Sequence, residues 1–555
     1  MPISSVYPSV PLVDTVDFWS LVQIKISKYM DRVCMIDGAT EAKVTYKEFH
    51  SQVLRMRNNL WQRGMRKGDV FMNLTPNSNQ APVVMFACLS LGGIYTASNP
   101  VFTPGEIRTQ LLDSNTRFFA TTQLLLPVAT EALKGIDLKL LIVYDSVGRA
   151  AVSFEDMLDP ATPEAPKVTI HPREDIALML FTSGTTGKPK GALISHYNLV
   201  SNNLQASSEL SYFHGDDSVS STVFFVPLFH IFGIFLFPHA ITHGKTVVFM
   251  AKFHVEDYLS LLCKYQTPVA AVAPPIATLL AKSPIIDRYD LSFLRHLFVG
   301  AAPVLPSIEQ AVKKRLPHLE LRQTMGMTEM GLALVIPKGR NVQGSAGLML
   351  PKTECKVKNS PDMHVLNICV CFKVVDPNSG GELTANQEGE VCFRGPQTMV
   401  GYMNNPEATE KAIDKDGWLA TGDIGYYNRD GYIFITDRLK EVIKCKGFQV
   451  IPSMLESLLM EHDAVADAAV IGIPDDYSGE IPKAFVVLKE NKTATSKEIQ
   501  GFVAGKVAPY KHLKGGVQFI DMIPKSVTGK VLRRVLKEKN GSVSGANNYF
   551  QSEAN

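Results

Sequence analysis

Apolar and polar positions along the chain follow two alternating rhythms. Residues 69–73 (DVFMN) form a short apolar run of strand length. Residues 79–91 follow as a longer apolar stretch that stops at Gly92-Gly93, where a helix would end. The same beat recurs: a helix over 104–113, strands over 118–121 and 140–144, and a run at 176–181 (IALMLF) apolar enough to be buried on both faces. It continues through 269–272 and 297–299. Strands alternating with helices predict an α/β fold with largely parallel sheets. From residue 389 the rhythm changes to shorter strands, GEVCFRG and GYIFITD, and after Asp437 a compact unit of mixed helices and strands follows. The expected organisation is a large N-terminal domain of several subdomains over 1–437 and a small α+β domain over 438–540. The Ser/Asn-rich tail, 541–555, is expected to be disordered. The longest apolar stretch, 222–238 (TVFFVPLFHIFGIFLFP), is short for a membrane span and carries Pro227, His230 and Gly233; it predicts a buried strand, a turn and the start of a helix.

Charge adds mainly exclusions. With 56 basic and 54 acidic residues the net charge is +2, which gives no footprint for nucleic acid or an anionic membrane. The eight cysteines are scattered singly apart from Cys369 and Cys371, and a lone C-x-C is not a zinc pattern. Reduced thiols, no secretory leader pattern at the N-terminus and no S-K-L-type ending predict a cytoplasmic location, with the peroxisome as the alternative.

Candidate chemistry begins at residues 182–191, TSGTTGKPKG, directly after the apolar run. Gly184 and Gly187 let the backbone turn N–H groups toward an anion. Ser183, Thr185 and Thr186 add donors, and Lys188 and Lys190 add positive charge. The spacing is not that of a Walker A loop, because only two residues separate the glycines and Pro189 follows Lys188. The stretch predicts phosphate handling outside the P-loop kinases and GTPases. Further patterns follow: PLFHIFG at 227–233, GAAP at 300–303, GMTE at 326–329, TGD at 421–423, DRLK at 437–440, KCKGFQV at 444–450 and PKSVTGKVLR at 524–533.

In this order the motifs resemble those of the adenylate-forming superfamily, in its acyl-CoA synthetase, 4-coumarate–CoA ligase and firefly luciferase branch, and they cover nearly the whole chain. The resemblance implies an AMP-forming ligase that uses ATP, magnesium and coenzyme A on a small carboxylic acid. It implies that Ser183, Gly184, Thr185, Thr186, Gly187 and Lys188 hold phosphates, and that Gly300, Ala301, Ala302 and Pro303 lie against adenine. Met325 (where the family usually has tyrosine), Gly326, Met327 and Thr328 would complete the nucleotide site, with Thr185 and Glu329 at the metal. Asp423 would bind the ribose hydroxyls and Arg438 the nucleotide. Lys440 would be the hinge of a mobile C-terminal domain. His230 would sit beside the acid's carboxylate and Lys530 would serve adenylation. Lys444 and Gln449 would serve thioester formation, with Lys446, Gly447 and Phe448 along the coenzyme A passage.

The physical logic is coherent. Two anions must meet, so cations are needed where charge develops. For the acid, His230, Phe232, Phe235 and Leu236 predict an apolar pocket. Phe232 stands where 4-coumarate–CoA ligases carry a tyrosine, which favours a medium- or long-chain fatty acid or an apolar aryl acid. Four alternatives stand beside this reading: a 4-coumarate–CoA ligase proper, a luciferase-like monooxygenase, a carrier-loading adenylation enzyme and a non-catalytic binding homologue. No carrier-domain motif accompanies the chain, and Glu329, Asp423, Arg438 and Lys530 are all present. Residues 358–374 interrupt a family segment resembling TECKVVDPNSGGEL, and Lys-Val occurs at both junctions. The segment is either a natural loop or a translated retained intron or annotation artefact, and the repeated Lys-Val favours the latter.

Overall fold

The computed structural model describes residues 10, 13–145, 151–182, 189–207, 220–304, 306–351, 371–376, 383–439, 441–445, 448–475, 478–526 and 529–546. Among them the chain forms five sheets. The centre of the largest comes from the predicted apolar runs together with Ile94–Ala97, a strand the sequence reading did not anticipate. Ile94–Ala97, Val70–Leu74, Thr116–Thr121 and Leu140–Val143 pair in parallel, and Ile176–Thr182 lies parallel beside Ile94–Ala97. Val70–Leu74 is buried at every position, as a central parallel strand must be. Helices Gln80–Ser90 and Pro104–Ser114 connect these strands; the second starts at Pro104 under a reciprocal Thr103–Glu106 capping box. At one edge Lys190–Ser195 runs antiparallel to Ile176–Thr182, and Gly401–Tyr402 adds outside it.

A second sheet carries Val269–Val272, His296–Val299 and Glu320–Met327 in parallel, then Gly331–Val335 and Leu348–Met349 antiparallel. A third joins Ser221–Phe224, Thr246–Phe249 and Val33–Asp37 in parallel. The fourth departs from the parallel expectation. Cys371–Val375, Gly389–Arg394, Leu419–Tyr427 and Ile433–Arg438 are antiparallel throughout. For the last two strands the connection decides this: Asn428 and Gly431 close a tight turn, leaving no room for a crossover helix. The inserted segment contributes to this sheet, since Val374 pairs with Val391 and is fully buried; residues 352–370 lie outside the described part.

The 222–238 stretch divides into strand Ser221–Phe224, a turn and helix Ile231–Thr242. Eleven of the helix's twelve residues are buried, so it is apolar all round because it runs through the core. No helix among the described residues is long and apolar enough to cross a membrane.

The small domain pairs Val465–Asp475 with Gly479–Leu488 and adds the hairpin Ile443–Cys445 and Phe448–Val450. Helices Pro452–Leu459, Ser496–Ala504 and Arg533–Ala546 complete it around its own core, which includes Val450, Leu455, Val470, Val486 and Val503. Two boundaries differ from the sequence expectation. Arg438 pairs with Asp423 and is the last residue of a large-domain strand, not the first of the small domain. The final helix runs to Ala546 and takes in the first six residues of the expected tail, its glycines and serines being carried on an already nucleated helix.

Candidate active site

His230 is the N-cap of helix Ile231–Thr242, and its ring is the cap: Nδ1 accepts the Phe232 N–H at 3.2 Å. An accepting Nδ1 leaves the ring proton on Nε2. Burial, and secondarily the Lys530 ammonium, push the imidazole down to about 4, so the ring is neutral at physiological pH. Gly233, one turn in, is obligatory, since a Cβ there would lie 2.2 Å from the Pro227 carbonyl oxygen.

The start of this helix forms one wall of a small, mainly apolar cavity. His230, Ile231, Phe232 and Phe235 line it from the helix, and Gly300, Ala301, Thr324, Gly326, Gly331 and Leu332 from the second sheet. Leu236 is 1% exposed inside the main core and is not on this lining. A Cβ on Gly300 would sit 2.8 Å from Thr324 Oγ1 and 3.4 Å from Phe232 Cζ, so these two side chains converge in front of the glycine. The Gly331–Leu332 corner is clamped by Asn202, whose amide both accepts from Leu332 N–H (3.0 Å) and donates to Leu332 carbonyl (2.8 Å).

The GAAP turn adjoins this wall. Ala301 has φ +73°, a left-handed strain that marks a shaped turn. Its exit is fixed by Gln323, which accepts the Val304 N–H at 3.0 Å and donates to the buried Glu309 carboxylate. Gly300 and Ala301 reach the cavity, while Ala302 is half-buried and Pro303 exposed beyond it. On strand Glu320–Met327, Thr324 and Gly326 face the cavity and Met325 packs against the core.

Next to this wall stand the acidic groups. Glu329 is 9% exposed, and its Oε1 accepts from the Tyr402 hydroxyl at 2.8 Å. Asp423, 5% exposed, meets Arg438 with Nε 2.6 Å from Oδ1. Burial raises the Asp423 pKa, and the Arg438 and Lys530 cations oppose that rise. Lys530 is thus felt at both His230 and Asp423 although it belongs to the small domain. Its loop is a tight turn: Ser526 N–H donates to the Lys530 carbonyl and Gly529 N–H to the Ser526 carbonyl, each at 2.8 Å. Gly529, at φ +81°, sits directly against Pro275 of the large domain.

The chain matches the AMP-binding enzyme family over residues 22–403 and the AMP-binding enzyme C-terminal domain over 454–530. The chain belongs to the AMP-binding enzyme family. It is an acid–thiol ligase of the adenylate-forming superfamily. The ligase is 38% identical over 539 residues to a probable 4-coumarate–CoA ligase 1 of Dictyostelium discoideum, covering 92% of this chain and 93% of the relative. It is 37% identical to 4-coumarate–CoA ligase 1 of Solanum tuberosum, covering 93% and 92%. Among solved structures it resembles ATP-bound MatB from Rhodopseudomonas palustris (TM-score 0.84, 26% identity, 95% of this chain and 100% of that one). It also resembles the anthranilate CoA ligase AuaEII in complex with anthranoyl-AMP (TM-score 0.83, 25% identity, 96% and 99%).

Within the ligase, the fold brings His230, Phe232, Phe235, Gly300, Ala301 and Gly326 onto one cavity and puts His230 and Asp423 within electrostatic reach of Lys530. Ser183, Gly184, Thr185, Thr186, Gly187, Lys188, Lys440, Lys446 and Gly447 lie outside the described residues. Lys444 pairs with Gln449 in a hairpin whose second strand packs on Pro509–Lys511 of the small domain. Thr328 is half-buried beside Glu329, and Met327 packs on the core. Magnesium takes oxygen ligands, commonly one or two carboxylates plus substrate phosphates, and the oriented Glu329 carboxylate fits that set. Tyr402, Thr324, Asn202 and Gln323 are contributors that the sequence motifs do not flag. A buried polar residue next to a motif, as Gln323 and Thr324 are to GMTE, is the signal available for two of them.

Proposed function

We propose that this ligase is an AMP-forming acyl-CoA synthetase acting on an apolar acid, either a medium- or long-chain fatty acid or an apolar aryl acid. The observation that carries the reading is that the Lys530 charge acts on both His230, which lines an apolar cavity, and Asp423, while its neighbour Gly529 sits against Pro275 of the large domain. The acid lies along Phe232 and Phe235 with its carboxylate at His230, whose Nε2–H donates to it. A carboxylate oxygen attacks the α-phosphorus of ATP, and the bond to the β-phosphate oxygen breaks. Diphosphate leaves and acyl-adenylate forms. Lys530 offsets the charge developing between the two anions. Asp423 accepts from the ribose hydroxyls, and Arg438 holds Asp423 in place. Magnesium, held by Glu329 together with the phosphates, neutralises phosphate charge when bound. Thiol attack on the acyl carbonyl then releases AMP, with the small domain turned to present the Lys444–Gln449 hairpin. The singly scattered cysteines suit a reducing compartment, the cytosol.

The test is product analysis with ATP, coenzyme A and a panel of acids. AMP and diphosphate in equal amounts with acyl-CoA support the reading; ADP as the stoichiometric product overturns it. The second reading, 4-coumarate as the acid, is favoured by the names of the curated relatives. Phe232 argues against it, because an unpartnered phenol hydroxyl loses about 1–3 kcal/mol on burial. A kcat/KM for 4-coumarate above that of every fatty and unsubstituted aryl acid decides for this second reading.

A further inference from the structure

Tyr402 lies in none of the motifs that mark the site. Its backbone belongs to one element and its side chain serves another. Gly401–Tyr402 adds antiparallel to Lys190–Ser195, with Tyr402 opposite Ala192. Val400 N–H donates to the Leu193 carbonyl and Met403 N–H to the Gly191 carbonyl, each at 2.8 Å. Residues 400–403 are therefore stitched to the strand that leaves the phosphate loop. The side chain crosses to the second sheet, where its hydroxyl donates to Glu329 Oε1 at 2.8 Å. Met399 N–H reinforces the crossing by donating to the Glu329 carbonyl, also at 2.8 Å. Above the ring, Lys190 Nζ stands 5.2 Å from the centroid, within cation–π range.

We propose that Tyr402 is the positioning residue for metal-bound ATP, fixing Glu329 through its hydroxyl and tying that carboxylate to the strand that leaves the phosphate loop. This rests on Glu329 being the metal carboxylate. A carboxylate can turn about its terminal torsion and offers two oxygens. Magnesium demands near-ideal octahedral geometry, so a turning carboxylate is a poor ligand for it. A phenol committed to Oε1 stops the rotation and presents the other oxygen in one direction. Because Tyr402 is carried on the strand paired with Lys190–Ser195, a shift of that strand moves the carboxylate with it. The Glu329 carboxylate then keeps its place relative to Lys190–Ser195.

Tyr402→Phe removes only the hydroxyl and keeps the ring under Lys190. ATP binding is measured by calorimetry across a magnesium titration, with AMP, which needs no metal, as the second ligand. The expected result is an increase of about tenfold or more in the magnesium concentration that half-saturates ATP binding, with AMP affinity and Tm unchanged. An unshifted magnesium dependence overturns the proposal, as does an equal loss of AMP affinity, which would mark a general structural role. Glu329→Gln separates the two layers. If it leaves the magnesium dependence unmoved, the metal reading of Glu329 is wrong. If it moves that dependence while Tyr402→Phe does not, only the positioning role fails.

Discussion

The Nδ1 of His230 accepts the Phe232 N–H, which ties the ring's tautomer to the geometry of a helix start. Because the folded ring titrates near 4 and an unfolded histidine near 6.5, the folded state takes up its proton later as the pH falls. This histidine's contribution to stability is therefore complete above the ordinary value and is lost as the pH drops from there toward 4. The same shift governs activity. His230 keeps one protonation state from pH 5.5 to 8, so the ratio of kcat/KM between the native ligase and His230→Asn, a replacement that can still cap the helix, should be flat over that range. A ratio that changes about tenfold around pH 6.5 would show a titrating histidine and contradict the assignment. His230, Asp423, Arg438 and Lys530 were all legible in the sequence, because each stands in a motif and the motifs come in a fixed order. Tyr402 was not. Its meaning lies in Glu329, a partner 73 residues away, and a tyrosine on a two-residue edge strand carries no local pattern.

Strand Glu320–Met327 shows what can be read at the scale of an element. Its existence followed neither from composition nor from a clean alternation, since a register shift between Met325 and Gly326 breaks the pleat. Around that break the strand sends Thr324 and Gly326 to the cavity, while the half-buried Met325 packs partly against the core. Thr324 and Phe232 both approach Gly300 and line the cavity there. Thr324→Gly should extend the pocket. The expected outcome is that the kcat/KM of a long-chain acid relative to a short one rises about tenfold, while the near-isosteric Thr324→Val leaves the ratio within about threefold of native. An unchanged chain-length profile in a folded Thr324→Gly protein would remove Thr324 from the acid site. By contrast four strands of the largest sheet, Val70–Leu74, Thr116–Thr121, Leu140–Val143 and Ile176–Thr182, were readable in advance, because a strand buried on both faces needs a continuous apolar run and a helix stop at Gly92-Gly93 needs no partner to be recognised.

For the molecule as a whole, the question is how a small domain with its own core meets a large one. The described arrangement sets Gly529 of the Lys530 loop against Pro275 and brings the Lys530 charge within reach of His230 and Asp423, while the Lys444–Gln449 hairpin packs within the small domain. Under the function proposed above, this is the arrangement that forms the adenylate. Lys530→Ala should slow acid-dependent ATP–diphosphate exchange about 100- to 1,000-fold and leave coenzyme A's reaction with synthetic acyl-AMP nearly native. Equal loss of both half-reactions would mean the loop serves both. The inserted segment poses a second whole-chain question. Strand Cys371–Val375 ends Lys-Val-Val, and deletion of 358–374 would bring Lys356-Val357 up to Val375, restoring the same three residues opposite Val391. The deleted protein should fold with a Tm within a few degrees of the full chain. A fall of more than about 10 °C would show the segment to be a structural part. The sequence exposed the duplication but not which copy builds the strand, since both copies carry the same pattern.

Gly529 touches Pro275 through a missing side chain, and that makes the joint between the domains selective for a single hydrogen atom. A methyl group there would put its carbon 2.7 Å from Pro275 Cδ, on a backbone at φ +81° that favours glycine. Gly529→Ala would act as a wedge in a closing door, keeping the lysine from its seat while every charged group stays in place. The exchange reaction should fall at least about tenfold, with thioester formation from synthetic acyl-AMP spared. Trimming the jamb with Pro275→Gly in the same protein should restore part of the exchange. If the double variant stays as slow as the single one, the obstruction is elsewhere and this contact is not what seats the domain.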